Sequence, residues 1–204
     1  MKLFHCPGFC SLGIHILLEE VGQPYEIVVV DLKQRGQFAP TFLNVNPKGK
    51  VPALVRNDGS VLTEFPAIAF WLAKTFPEAD MMGKRLEEEA RTLELLDYIV
   101  GSIHKRGFTF VAMPMKFLPE KAGQDTLRAY GLKELDKGPA NLADRLGDQP
   151  FLQGSFSIAD AALFYLLRFV DEFGLAMPGR LQNYFERMQE RPSVAVAMCD
   201  FESR

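Results

Sequence analysis

Apolar and polar positions change rhythm about a third of the way along this chain. Leu3 and Phe4 begin a short apolar run that ends at Pro7-Gly8. In residues 11–21, Ile14, Leu17, Leu18 and Val21 fall at i, i+3, i+4 and i+7. That spacing predicts a helix with one apolar face, with Glu19 and Glu20 off it. Gly22 and Pro24 stop the helix in the expected order. Residues 25–30 are continuous and β-branched, which predicts a strand buried on both faces. Strand, helix and strand in sequence call for a parallel crossover. A looser segment, 33–46, carries a short helix around 38–43. Residues 51–55 and Val61-Leu62 flank Asn57-Asp58-Gly59-Ser60, and Asp-Gly between two apolar strands predicts a hairpin. Pro66 sits where a helix should open, with Ile68, Trp71, Leu72 and Thr75 on one face.

Residues 76–83, with Pro77, read as a linker, and the pattern beyond it is helical throughout. Leu86, Ala90, Leu93, Leu96, Val100 and Ile103 line one face of a long helix. Gly107 and Pro114 are expected to break it, ahead of a Met- and Phe-rich stretch at 108–119. Helices follow at 120–135 and 140–146, with Gly138-Pro139 as the expected break between them. Residues 157–169 are almost wholly apolar after the first turn, which predicts a buried central helix, and 181–191 and 194–198 complete the set. The order β-α-β, connection, β-β-α is the layout of a thioredoxin-like domain. The expected organisation is an α/β thioredoxin-like domain over 1–76, a linker over 77–83 and an all-α helical domain over 84–204.

Composition narrows the function classes. A chain of 204 residues can remove roughly 70% of its unfolded surface from water and needs neither disulfide nor metal to fold. Its 48% hydrophobic and 24% charged residues are those of a globular protein. Lys plus Arg number 23 against 26 Asp plus Glu, a net charge of -3. No basic field is present for nucleic acid or anionic lipid, so neither is an expected partner. No apolar run reaches the length of a membrane span. The first residues have no signal-peptide pattern, and three cysteines cannot all pair, so the expected compartment is the reducing cytoplasm.

Among the residues that can carry chemistry, Cys10 follows a strand and opens a helix. Helix N–H groups and the positive end of the dipole favour a thiolate there; a buried structural cysteine is the alternative. Cys6-x3-Cys10 is neither a redox pair nor a metal pair, and Cys6 and Cys199 read as inert. Ser11 has the hydroxyl to cap the helix or to donate to a thiolate at Cys10. Val51-Pro52 opens a strand and leaves backbone groups for an extended peptide, or simply starts the strand. Glu64, just before the helix at Pro66, is favoured by the dipole with or without a ligand amine. His104 and Lys105 lie on the long helix, where a lone histidine beside an apolar face is commonly a core residue. Ser157 and Asp160 form a capping box rather than a catalytic pair.

Together these residues resemble a known family. Pro7-Gly8-Phe9-Cys10-Ser11, Asn46-Pro47-Lys48-Gly49-Lys50-Val51-Pro52-Ala53-Leu54, Leu62-Thr63-Glu64 and Ala67-Ile68 are similar to the glutathione transferases. With His104-Lys105 they resemble the bacterial beta, cysteine-type class. The likeness runs nearly end to end, through Ser157–Asp160 and Arg191-Pro192-Ser193-Val194. It implies glutathione as co-substrate, with Cys10 at its sulfur and Ser11 beside it. Val51 would pair with the cysteinyl unit, with Pro52 cis. Glu64 and the backbone N–H of Phe65 would hold the γ-glutamyl end, and Lys33 would take the glycyl carboxylate. His104 and Lys105 would reach in from the helical domain, which supplies the pocket for a small apolar electrophile or disulfide. A homodimer is also implied.

One position departs from that pattern. The family commonly has Ser, Thr or Gly after the glutamate; Phe65 offers no hydroxyl and brings a bulky ring. A lost hydrogen bond to a charged carboxylate is worth roughly 1.5–3 kcal/mol, so a weakened glutathione site is expected. The leading reading is a glutathione-dependent transferase, acting by thiol transfer at Cys10 or by conjugation. The alternative is a non-catalytic ligand-binding or interaction protein on the same fold, and Phe65-Pro66 is the feature that favours it.

Overall fold

A computed structural model describes residues 1–202; residues 203 and 204, the end of the expected helical domain, lie outside it. The backbone divides into two compact units. One comprises Met1–Met82 with the segment from Met188 onward, the other Gly83–Arg187. Among the described residues no helix is long and apolar enough to cross a membrane.

The first unit opens with β1 (Lys2–His5), α1 (Ser11–Val21) and β2 (Glu26–Val29), then α2 (Pro40–Leu43), β3 (Ala53–Val55), β4 (Val61–Thr63) and α3 (Phe65–Thr75). The four strands form one sheet in the order β2-β1-β3-β4. β1 runs parallel to β2, with Leu3 opposite Ile27, and antiparallel to β3, with Leu3 also opposite Leu54. β3 and β4 are the expected hairpin. Its turn is closed by Arg56 N–H donating to the Ser60 carbonyl at 2.9 Å and by Gly59 N–H donating to the Arg56 carbonyl at 3.0 Å, with Gly59 at φ 80.

Two expectations change here. The run at 25–30 does not make a strand buried on both faces. β2 lies at the sheet edge, and its side chains are exposed to half-buried; an apolar run does not by itself distinguish a central strand from an edge. α1, expected to bury one face, is buried almost all round, with only Glu19 and Glu20 outside the core. It packs on β1, on α3 and on the C-terminal helix.

In the second unit, α4 (Leu86–Asp97) runs on through a π-helical segment (Tyr98–Phe108) into α5 (Thr109–Ala112). Gly107 therefore does not break this rod. It is the point of close approach to α6 (Lys121–Leu146). A Cβ on Gly131 of α6 would lie 2.7 Å from the Gly107 carbonyl oxygen. Gly138-Pro139 does not break α6 either, since the helix continues through Pro139. The ring of a proline clashes with the Cβ of the residue before it, and Gly138 has none. A Cβ there would also meet Ile103 Cγ1 at 2.7 Å.

α7 (Ile158–Glu172) is the buried central helix. The Asp160 carboxylate accepts from Ser157 N–H at 2.9 Å, Ser157 Oγ at 2.7 Å, Leu152 N–H at 3.0 Å and Tyr184 Oη at 3.1 Å. Burial pushes its pKa up to about 6, and these donors pull against that rise. α8 (Gly179–Gln189) and α9 (Pro192–Glu202) end the described chain. α9 packs on α1 and is pinned there by Glu20, which accepts from Arg191 Nη2 at 2.8 Å and from the Ser193 hydroxyl.

Candidate thiol site

Cys10 is the residue immediately before the first turn of α1, with φ -55 and ψ -25. The loop that delivers it leaves the end of β1 and turns at Gly8, whose φ is 76, a value glycine adopts without steric cost. Phe9 N–H donates back to the Cys6 carbonyl at 3.2 Å. The Cys10 thiol is half-buried and points across the unit to the Val51 carbonyl, with Sγ and O 3.7 Å apart. Two segments 41 residues apart in sequence thus meet at this sulfur. The Val51-Pro52 peptide is cis, as expected.

Ser11 does something other than cap the helix or serve a thiolate. Its hydroxyl is fully buried, donates to the Cys6 carbonyl at 3.1 Å and accepts from Cys6 N–H at 3.0 Å. A hydroxyl has one proton, and this one is committed to Cys6. The capping expectation fails because Ser11 lies inside the helix while Cys10 takes the cap position. The Cys6 thiol is buried, and burial raises its pKa, so the site has one accessible sulfur at the β1–α1 junction.

The loop carrying Val51 is organised by Asn46, which sequence reading left without a role. Asn46 is 1% exposed. Its amide donates to the Lys50 carbonyl at 2.7 Å and its side-chain oxygen accepts from Lys48 N–H at 3.2 Å. Lys48 was missed as well. Its Nζ reaches Glu64 Oε1 and Thr63 Oγ1, each at 2.9 Å. Glu64 itself stands at φ 71, ψ 127, and its carbonyl accepts the Ile68 N–H at 3.0 Å. The Asn-Pro-x-Gly pattern is a readable turn signal for Asn46; nothing local announces the Lys48–Glu64 pair.

Phe65 corrects an expectation. Its side chain is 4% exposed, so the ring is part of the packed interior at the first turn of α3 and does not occupy open space beside Glu64. Lys33 is exposed, and its backbone N–H donates to Asp31 Oδ1 at 2.8 Å.

His104 and Lys105 lie in the π-helical segment of the second unit. His104 is half-buried among aromatic rings. Its Nδ1 is 3.0 Å from Tyr165 Oη, and its ring meets Tyr165 and Phe169 edge-on at 5.4 and 5.8 Å. Burial, helped by the nearby charge of Lys105, pushes its pKa down to about 3. His104 is therefore neutral over the physiological range. Lys105, next along the chain, is exposed. Tyr165, 61 residues away, is a partner that the sequence pattern reads only as core.

Comparison with known proteins agrees with this geometry. The family model described as "Glutathione S-transferase, N-terminal domain" matches residues 6–75. The chain is 38% identical to glutathione S-transferase GstA of Escherichia coli O157:H7, over 97% of each chain. It is 29% identical to the disulfide-bond oxidoreductase YfcG of Escherichia coli K12, over 97% of this chain and 94% of that one. A bacterial beta class glutathione S-transferase from Sphingomonas chungbukensis superposes with a TM-score of 0.84 at 34% identity, covering 98% of both chains. A likeness of that extent means that the chain belongs to the glutathione S-transferase family.

Proposed function

We propose that this glutathione transferase works through the Cys10 sulfur, exchanging thiols with glutathione disulfides. The observation that carries this reading is the placement of a half-buried thiol at the N-terminus of α1, across from the backbone of Val51. The N–H groups and dipole of α1 favour the thiolate, which is the nucleophile in disulfide exchange. Cys10 S⁻ attacks the glutathionyl sulfur of a mixed disulfide, forming Cys10–S–S–glutathione and releasing the other thiolate. A second glutathione thiolate then attacks that bond, yields oxidised glutathione and restores Cys10. Conjugation of glutathione to a small electrophile uses the same tripeptide subsites, with the attacking sulfur belonging to glutathione.

The tripeptide is proposed to lie with its cysteinyl backbone on Val51 and its γ-glutamyl amine on Glu64. The N–H of Phe65 takes the γ-glutamyl carboxylate, and Lys33 takes the glycyl carboxylate. With its ring buried, Phe65 does not set its bulk beside Glu64, which weakens the case for a binding protein without turnover. His104, being neutral, is assigned a hydrogen-bonding part rather than a proton-carrying one.

The test is mass-spectrometric mapping of a thiol reagent on the folded chain at mildly acidic pH. Cys10 is expected to label first, bound glutathione to protect it, and Cys10→Ala to lose disulfide exchange while keeping part of any conjugation activity. Faster labelling of Cys6 or Cys199 overturns the assignment.

A further inference from the structure

The helix that presents Cys10 carries a second buried polar group on the side of Ser11, one turn further on. His15 is 1% exposed and stands four residues after Ser11, so the two share a helix face. Both touch the end of β1. Ser11 holds the backbone N–H and carbonyl of Cys6, while the His15 ring packs edge-on against the ring of His5, with centroids 5.6 Å apart. On its other side His15 Nε2 lies 2.8 Å from the Tyr25 hydroxyl, and that hydroxyl donates to the Glu19 carboxylate. Glu19 and Tyr25 line an open cleft at the surface with Gly22 and Pro24.

The direction of the Tyr25–Glu19 hydrogen bond assigns the tautomer. An ionised carboxylate only accepts, and a phenol has one proton. With that proton given to Glu19, the Tyr25 oxygen must accept from His15, so Nε2 carries the hydrogen.

We propose that His15, locked as the Nε2–H tautomer by Tyr25 and Glu19, is a positioning residue for the Cys10 thiol. The proposal rests on Cys10 being the nucleophile. α1 holds two consecutive residues, His5 at the end of β1 and Cys6 just after it, and the loop that carries Cys10 starts there. If the His15 ring turns, its contact with His5 is lost and the hold of α1 on the end of β1 loosens. The Cys10 sulfur is then no longer fixed against the Val51 carbonyl. Displacing a reacting group by about 1 Å can cost about a hundredfold in rate.

The test uses the full chain and three variants: Tyr25→Phe, His15→Gln and His15→Leu. The readouts are the iodoacetamide labelling rate of Cys10 by peptide mass spectrometry and the ¹⁵N shifts of the histidine rings. Labelling of the buried Cys6 serves as a gauge of general opening. Wild type should show His15 protonated at Nε2. Tyr25→Phe should lose that signature and slow Cys10 labelling about tenfold, with Cys6 labelling unchanged. His15→Leu should be as slow, whereas His15→Gln, whose amide can donate to Tyr25, should restore most of the rate. A Tyr25→Phe chain that loses the signature but labels Cys10 at the wild-type rate overturns the proposal. So does a His15→Gln chain as slow as His15→Leu. Should the His15 variants not fold, Tyr25→Phe decides alone. Wild-type label on Cys6 or Cys199 in place of Cys10 overturns the nucleophile assignment and this proposal with it, whereas normal Cys10 labelling unaffected by Tyr25→Phe overturns only this one.

Discussion

Replacing Phe65 with serine restores the residue type expected after the glutamate, and reading the sequence alone predicts tighter glutathione binding. The packing predicts a different result. Phe65 is 4% exposed and opens α3, whose Ile68 and Leu72 are fully buried. Removing a buried phenylalanine ring costs about 3–5 kcal/mol, and a serine hydroxyl left without a partner in that space adds about 1–3 kcal/mol. The variant should lose about 4 kcal/mol or more. For a chain of this size each kcal/mol moves Tm by about 2–4 °C, so the expected drop is about 8–16 °C. The single tryptophan of the chain, Trp71, lies in α3 against Phe76. Its fluorescence therefore reports melting of the unit in question. The backbone N–H proposed to bind glutathione survives the substitution, so affinity measured by calorimetry well below Tm should change by less than about threefold. Phe65→Leu keeps most of the volume and should cost only about 1–2 kcal/mol. An unchanged Tm together with tighter glutathione binding would refute the assignment of the ring to the core.

Three further outcomes are expected. His104 is neutral above about pH 3, so the pH–rate profile of disulfide exchange between pH 5 and 9 should keep the same inflections in His104→Gln as in wild type; an inflection near 6.5 that vanishes in the variant refutes this. Because that pKa lies below the unfolded value, the unfolded chain takes up a proton first, and the stability His104 contributes is lost as pH falls from about 6.5 towards 3. Glu64→Gln should weaken glutathione binding about 10- to 150-fold, the worth of a hydrogen bond to a charged group, and wild-type affinity in that variant removes Glu64 from the binding site. Val61 of the hairpin and Phe70 of α3 are 40% and 37% exposed, and light scattering at micromolar concentration should give twice the mass of the chain; the mass of a single chain refutes the homodimer that the family resemblance implies.

Elements with strong local signals were legible in the sequence. α1 was bounded by a thiol-bearing turn and Gly22, the hairpin by Asp58-Gly59, α3 by Pro66 and α7 by its Ser157–Asp160 box. What escaped depended on partners far along the chain. β2 is an edge strand only because β3, not another segment, pairs with the other side of β1. Gly107, Gly131 and Gly138 read as interruptions, yet they are contact points between two helices, which no single-helix pattern reveals. In the proposed site, Cys10, Val51, Pro52 and Glu64 stood out by position and likeness. Lys48 and Asn46 did not, because their work is to hold Glu64 and Val51 rather than to react. The neutrality of His104 is set by Tyr165, Phe108 and Phe169, residues whose pattern announces only a core.

Glu64 shows how the site and the fold constrain each other. Among the described residues, three other than glycine have positive φ: Arg35, Glu64 and Asp80. Arg35 and Asp80 fall in the left-handed helical region, which side chains visit at modest cost. Glu64, at ψ 127, lies outside it, where an L-residue is strained by about 1–3 kcal/mol. The ion pair with Lys48 cannot offset this, because both side chains are about half exposed, at 50% and 52%, and such pairs contribute about 0–1 kcal/mol. The packing of α3 behind it supplies the difference. Ile68 and Leu72 are fully buried, each worth about 1.5–3 kcal/mol of burial, and the Ile68 N–H is bonded to the Glu64 carbonyl. A glycine at position 64 would relieve the strain but leave no carboxylate. The chain instead holds a charged side chain at a fixed backbone angle beside the N-terminus of α3, which is the arrangement the proposed binding of a ligand with both an amine and a carboxylate calls for, an acceptor and a donor side by side.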